Sequence, residues 1–293
     1  MKKIVLSIFI VIGLFSCTQN NTSSNKIYVS VQPQKFFLEK IVGNEFEIDV
    51  MVKPGMSPAT YEPLPTQMLE LSKSKIFFSI GVPFEKNWLP VIKENNKSLI
   101  VCKTDEGISK RKMDSVVELF DEDEHEIHNH KHSHGEPDPH IWLNPVLVKQ
   151  QAENMFQSLI KIYPAKESLF RANLTNFQNE LDSLDQDLSN ILAGVENKSF
   201  LVFHPSWGYF ADRYKLKQIA IEVEGKEPSP KELSNIIDKV KELGIKKIFV
   251  QKQFSAKAAE AVAKELNSDV VQIDPLSYEY INTLKKIAQA IAK

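Results

Sequence analysis

The chain has 293 residues, 42% hydrophobic and 25% charged, with a formal net charge of −2. That is enough sequence for two lobes of ordinary size, each with its own core. The near-balanced charge holds no basic excess for nucleic acid, and two cysteines are too few to build a disulfide scaffold.

Met1, Lys2 and Lys3 give a positive start, and Ile4 to Phe15 is almost wholly apolar. A dozen or so apolar residues fall short of the roughly 20 that span a bilayer. The run fits a signal peptide over residues 1–16. Leu14-Phe15-Ser16-Cys17 resembles a bacterial lipobox, in which the cysteine becomes the lipidated first residue of the mature chain. The alternative is an ordinary signal peptide with an incidental cysteine. Residues 17–25 then read as a lipidated cysteine and a flexible tether rich in Asn and Ser. With Cys17 acylated, Cys102 has no disulfide partner. It lies in an apolar run and reads as a small buried hydrophobe.

Beyond the tether, strands are expected at Lys26 to Val31, Phe46 to Val52, Lys75 to Ile80 and Ser98 to Cys102, all rich in β-branched or aromatic residues. Helical patterns lie between them at Phe36 to Ile41 and Pro65 to Ser72. Alternating strand and helix predicts a parallel sheet. From Pro145 to about Ala193 there is no strand signal. Apolar residues recur there at helical spacing, and Pro164 divides the stretch. Lys166 to Ala193 predicts one long amphipathic helix, ended by Gly194, suited to bridge two lobes. The other reading is two shorter helices on one lobe. Strands return at Ser199 to Phe203, Lys217 to Ile221, Lys247 to Val250 and Asp269 to Ile273, with helices at Pro230 to Leu243, Ser255 to Leu266 and Tyr278 to Ala292. The expected architecture is α/β. An N-terminal lobe (26–165) and a C-terminal lobe (195–293), each with a mostly parallel sheet flanked by helices, are joined by a linker helix (166–194), with a metal site in the cleft.

Six of the seven histidines fall in DEDEHEIHNHKHSHGEPDPHIW. His125, His128, His130, His132 and His134 alternate with acidic and small polar residues over 118–136, a composition that gathers metal ions without a fixed geometry. His140 stands apart in a Pro-bounded turn. His204 and Asp274 each directly follow a predicted strand, where open α/β sheets bind ligands. Two imidazoles and a carboxylate are a plausible ligand set for zinc.

Five ordered segments make this setting specific. They are Pro54-Gly55 through Tyr61-Glu62-Pro63, Asp138-Pro139-His140-Ile141-Trp142, Phe203-His204-Pro205 through Phe210, Gly225-Lys226-Glu227-Pro228-Ser229 and Ile273-Asp274-Pro275-Leu276. With the His-rich acidic run, they resemble the zinc-type, ZnuA-like solute-binding lipoproteins of bacterial ABC transporters. The resemblance implies two lobes joined by a rigid helix, with one metal at their interface held by His140, His204 and Asp274. It further implies zinc ahead of manganese, a permease and its ATPase as partners, a monomer anchored to a bacterial membrane through Cys17, and no enzymatic activity. The chain departs from the pattern at Ala59, where the family carries a histidine. A water, a histidine of the His-rich run, or Glu62 then supplies the fourth ligand. Three protein ligands and a water would also suit a zinc metallohydrolase, although no HExxH-type motif is present. A surface metal buffer or adhesin without a permease is the remaining alternative.

Overall fold

The computed structural model describes residues 26–114, 137–222, 226–245, 247–254 and 256–293. The expected signal peptide, the expected lipobox with Cys17 and the five histidines from His125 to His134 lie outside the described residues.

The N-terminal sheet contains β1 (Lys26–Val29), β2 (Glu47–Val50), β3 (Ile76–Ser79) and β4 (Ile100–Lys103), in spatial order β2-β1-β3-β4. The second sheet contains β5 (Ser199–Val202), β6 (Lys217–Ala220), β7 (Lys247–Gln251) and β8 (Asp269–Ile273), in the corresponding order β6-β5-β7-β8. Every pairing in both sheets is parallel. In each sheet the order reverses between its first and third strands. Such a switch point opens a crevice at the carboxyl ends of the strands, where ligands bind.

The helices are α1 (Gln32–Val42), α2 (Pro65–Ser72), α3 (Pro83–Asn95), α4 (Pro145–Ile162), α5 (Glu167–Leu192), α6 (Gly208–Tyr214), α7 (Pro230–Glu242), α8 (Ala256–Leu266) and α9 (Tyr280–Ala292). The expected strands are all present, mostly a residue or two shorter than their apolar runs. Two helices had no counterpart in the sequence expectation. Pro90 lies inside α3 and reads as a helix breaker in sequence. The seven residues of α6 are too short to show a period, and most of them are buried.

The long helix is a single element of 26 residues, roughly 39 Å at 1.5 Å per residue. Phe170, Leu174, Phe177, Leu181, Leu184, Leu188 and Leu192 form its buried stripe. It packs against α1 and α4 of the N-terminal half and against α6 and α9 of the C-terminal half. It therefore bridges both lobes, and the reading of two short helices on one lobe is set aside. Aromatic rings complete the seam. Phe177 lies 5.9 Å from both Phe36 and Phe37 of α1, and Phe37 meets Tyr280 of α9 edge-on at 4.9 Å. Tyr278 donates to Glu39 across the same boundary at 2.6 Å. Phe177→Ala is expected to destabilise the protein by about 3–5 kcal/mol, the usual cost of emptying a buried aromatic site, measured by denaturant unfolding.

Glu85, in the first turn of α3, fixes the backbone after β3. It accepts hydrogen bonds from the amides of Ile80 and Gly81 at 2.9 and 2.8 Å and from the Ser30 hydroxyl at 2.5 Å. Burial pushes its carboxyl up to about 7, against these hydrogen bonds. The folded state thus holds a proton that the unfolded chain releases near pH 4.5. This contribution to stability is fully present below that pH and is lost as pH rises through about 7. Glu85→Gln should flatten the pH dependence of unfolding between pH 5 and 8 by about 2–3 kcal/mol relative to the parent chain.

Candidate metal centre

His140 precedes a short 3-10 turn, Ile141–Leu143, and Asn144 caps the following helix by accepting from the Val146 amide at 2.9 Å. The turn is wholly buried. Asp138, fully buried two residues earlier, accepts from both the backbone amide and Nδ1 of His140, at 2.9 and 2.7 Å. A carboxylate only accepts, so Nδ1 carries the proton and Nε2 keeps a free lone pair. Burial, the largest influence, holds the His140 imidazole below its ordinary pKa, although Asp138 pulls it upward. The ring is therefore neutral at neutral pH, the form that binds metal.

His204 follows β5. Gln251 of β7 accepts from its backbone amide at 3.1 Å, and the Phe254 ring stacks on its imidazole at 4.9 Å. Its Nδ1 faces Glu222, just past β6, at 2.9 and 3.0 Å from the two carboxylate oxygens. The same tautomer follows. Each imidazole is thus oriented from behind by a buried carboxylate, the arrangement that commonly backs metal-binding histidines. The ring centres lie 5.4 Å apart.

Arg111 ties this arrangement together. Its guanidinium reaches Asp138 at 3.3 Å, Asp114 at 2.6 Å and Asp212 of α6 at 2.9 Å. Its backbone amide donates to the Tyr209 hydroxyl at 3.0 Å, which donates to the Asp138 carbonyl at 2.9 Å. The approach to α6 is close, since a Cβ on Gly208 would lie 1.8 Å from Arg111 Nη1. Only glycine leaves room for the guanidinium there. Trp142 Nε1 donates to the Pro275 carbonyl at 2.8 Å, a second tie between the turn and the C-terminal lobe.

The two imidazoles line a cavity of about 60 Å³ with Ser57, Ala59, Val82, Met113, Gln253 and Leu276, among others, and none of the described residues lining it is Lys or Arg. Ala59 thus stands at the wall and offers a methyl group. Glu62 is exposed and does not line the cavity. Asp274 follows β8 as expected, but it lines a neighbouring hollow with Val31, Lys53 and Tyr278. Its Oδ1 is taken by the Leu276 amide at 3.0 Å and the Gln253 side-chain amide at 2.9 Å. The structure therefore brings His140 and His204 together and leaves Asp274 outside their cavity. Among the described residues, no three His, Cys, Asp or Glu side chains gather as a metal site. Cys102 is buried, as its apolar run implied.

Asp138, Glu222, Gln253 and Arg111 are site residues that sequence reasoning missed. Glu222 and Gln253 were within reach of the rule that flagged His204, because each lies just past the carboxyl end of a strand. Asp138 was signalled by its place two residues before a candidate ligand histidine. Arg111 carried no such signal.

Two similar parallel sheets, with a cavity lined by two imidazoles in the cleft between them, define a two-lobed binding protein able to hold a cation. Comparison with known proteins agrees. The family model described as ZnuA, zinc-uptake complex component A, periplasmic, matches residues 27–293. The chain belongs to this family. A crystal structure of ZnuA superposes with a TM-score of 0.82 at 40% identity, covering 91% of this chain and 97% of that one. A zinc-bound deletion mutant of ZnuA matches equally well, with a TM-score of 0.82 at 39% identity, covering 91% of this chain and 96% of that one. The zinc-binding protein AdcA of Streptococcus pyogenes is 29% identical over 94% of this chain. The chain spans only 56% of the length of that relative. The high-affinity zinc uptake system protein ZnuA of Bacillus subtilis is 26% identical over 92% of this chain and 82% of its own length.

Asp138→Asn and Glu222→Gln each retain an acceptor but remove the charge behind an imidazole. Each should weaken metal binding by about 10–100-fold, read by competition with a chromogenic chelator.

Proposed function

We propose that this chain captures zinc outside the cytoplasmic membrane and delivers it to the permease and ATPase of an ABC transporter. The two lobes (26–165 and 195–293) act as jaws on a fixed beam (166–194), and His140 and His204 hold the ion between them. One observation carries this reading: the 5.4 Å separation of two imidazole rings whose Nδ1 atoms are already committed. Two imidazoles sharing one tetrahedral zinc at Zn–N distances of about 2.0–2.1 Å have ring centres about 5 Å apart. Nitrogen ligands favour zinc over manganese, which prefers oxygen. The names of the relatives point to the same metal.

His125, His128, His130, His132 and His134 serve as a weaker collector that raises the local zinc concentration, and one of them is available to complete the site where Ala59 cannot. In support, the ends of this segment re-enter side by side. Lys112 bridges Pro137, and the Asp138 amide donates to the Arg111 carbonyl at 2.9 Å, a few residues from His140. Cys17 anchors the chain by its lipid. Among the described residues no helix is long and apolar enough to cross a membrane. Carriage needs no bond to be made or broken, and about 60 Å³ accommodates an ion better than the organic substrate of a hydrolase.

Zinc titration tests the reading. The full chain should bind more than one zinc, and a variant lacking 118–136 should bind one. His140→Ala and His204→Ala should each abolish the tight site. Tight binding that survives both substitutions would show that the ion sits elsewhere.

A further inference from the structure

Residues 110–114 lie outside any helix or strand, and their side chains divide between the two lobes. Lys110 holds the N-terminal lobe. Its ammonium pairs with Asp105 at 2.7 Å and reaches the Ile80 carbonyl at 3.5 Å, lying over Gly81, where a Cβ would collide with it. Arg111, the next residue, holds the C-terminal lobe through Asp212 and the space left by Gly208 at the start of α6. Met113 lines the cavity of His140 and His204. Asp114 then accepts from the side-chain amide of Gln218 in β6 at 2.6 Å. Two successive cations thus occupy two glycine notches, one in each lobe, and the same short segment forms part of the cavity wall.

The segment also runs beside the chain that leads to His140. Lys112 bridges Pro137, and the Asp138 amide donates to the Arg111 carbonyl. Another cavity residue that bonds across the lobe boundary, Trp142, is fully buried and cannot leave without emptying a core site. Residues 110–114, in contrast, are exposed or half-buried, and their ties to the C-terminal lobe are polar. Segments with few buried apolar contacts open locally at far lower cost than global unfolding.

We propose that residues 110–114 form a clasp across the lobe boundary, with Arg111 as its positioning residue, and that zinc enters and leaves the cavity when the clasp lifts. The inference rests on the zinc reading above and adds a route to it. Met113 supplies the part of the cavity wall that moves, and Arg111 determines how often that wall is in place. A clasp that closes over the empty and the filled cavity alike changes the rate of exchange and not the affinity.

Gly208→Ala tests this without altering a charged or cavity-lining residue. Alanine suits a helical position, yet its methyl takes the space of the guanidinium. Arg111→Met removes the charge and keeps much of the length. Zinc release from the full chain would be followed by stopped flow into excess chelator, and uptake by competition with a fluorescent zinc indicator. Both variants should quicken release and uptake alike, by about tenfold, with the ratio of the two rates staying within about threefold of the parent. Thermal unfolding of the zinc-free variants checks that each is folded, and either one suffices. The proposal falls if both variants exchange zinc at the parent rate. It also falls if release alone quickens and affinity weakens in proportion, the mark of a damaged site. In those cases His140→Ala still loses the tight site and the zinc reading stands. If His140→Ala and His204→Ala bind as the parent does, the zinc reading itself is at fault.

Discussion

The distance between His140 and His204 is set by hydrogen bonds that cross the lobe boundary. The two residues come from different lobes and are far apart in sequence. Tyr209 grips the Asp138 carbonyl, Arg111 reaches Asp212, and Trp142 reaches Pro275. The first and last of these bonds are buried. Losing one partner would leave a polar group without water or protein, which is more costly than the bond is stabilising. The packing of α1 and α9 on α5 adds a second set of contacts between the lobes. The site inherits its geometry from both constraints.

Charge is arranged in layers around the cavity. The two imidazoles face it, and the carboxylates of Asp138 and Glu222 stand behind them. A divalent ion brought out of water must exchange hydration for fixed dipoles and countercharge. The imidazoles supply the contact, and the carboxylates behind them supply the compensation. Burial of His140 helps by keeping its proton affinity low, so hydrogen ions compete less for the same lone pair. Arg111 neutralises part of the Asp138 charge. On the His204 side Glu222 is nearly buried, and among the described residues no Lys or Arg pairs with it.

Much of this was legible in the chain. The strands showed because buried parallel strands read as short apolar runs. The helix α5 showed because its stripe from Phe170 to Leu192 keeps a helical period. The placement of His204 past a strand was legible for the same reason. The segments quoted above carried the pairing of His140 with His204, which no local pattern could supply. What stayed hidden depends on loops from different strands meeting. Glu222 and Gln253 look like ordinary polar residues until β6 and β7 are set on either side of β5. Asp274 was likewise placed correctly past its strand. The hydrogen bonds that its Oδ1 accepts from the Leu276 amide and from Gln253 carried no local sequence signal.

The bridge between Lys112 and Pro137 has a consequence for how such a chain can diversify. An insertion whose two ends leave the domain side by side can gain or lose residues without moving either attachment point. Closing a longer excursion adds little entropy, about 0.6 kcal/mol for each doubling of length. The fold therefore provides a port where ligand-bearing sequence can be exchanged while Arg111, Asp138 and His140 stay in register. The capacity of the molecule to gather metal can evolve separately from its ability to hold one ion.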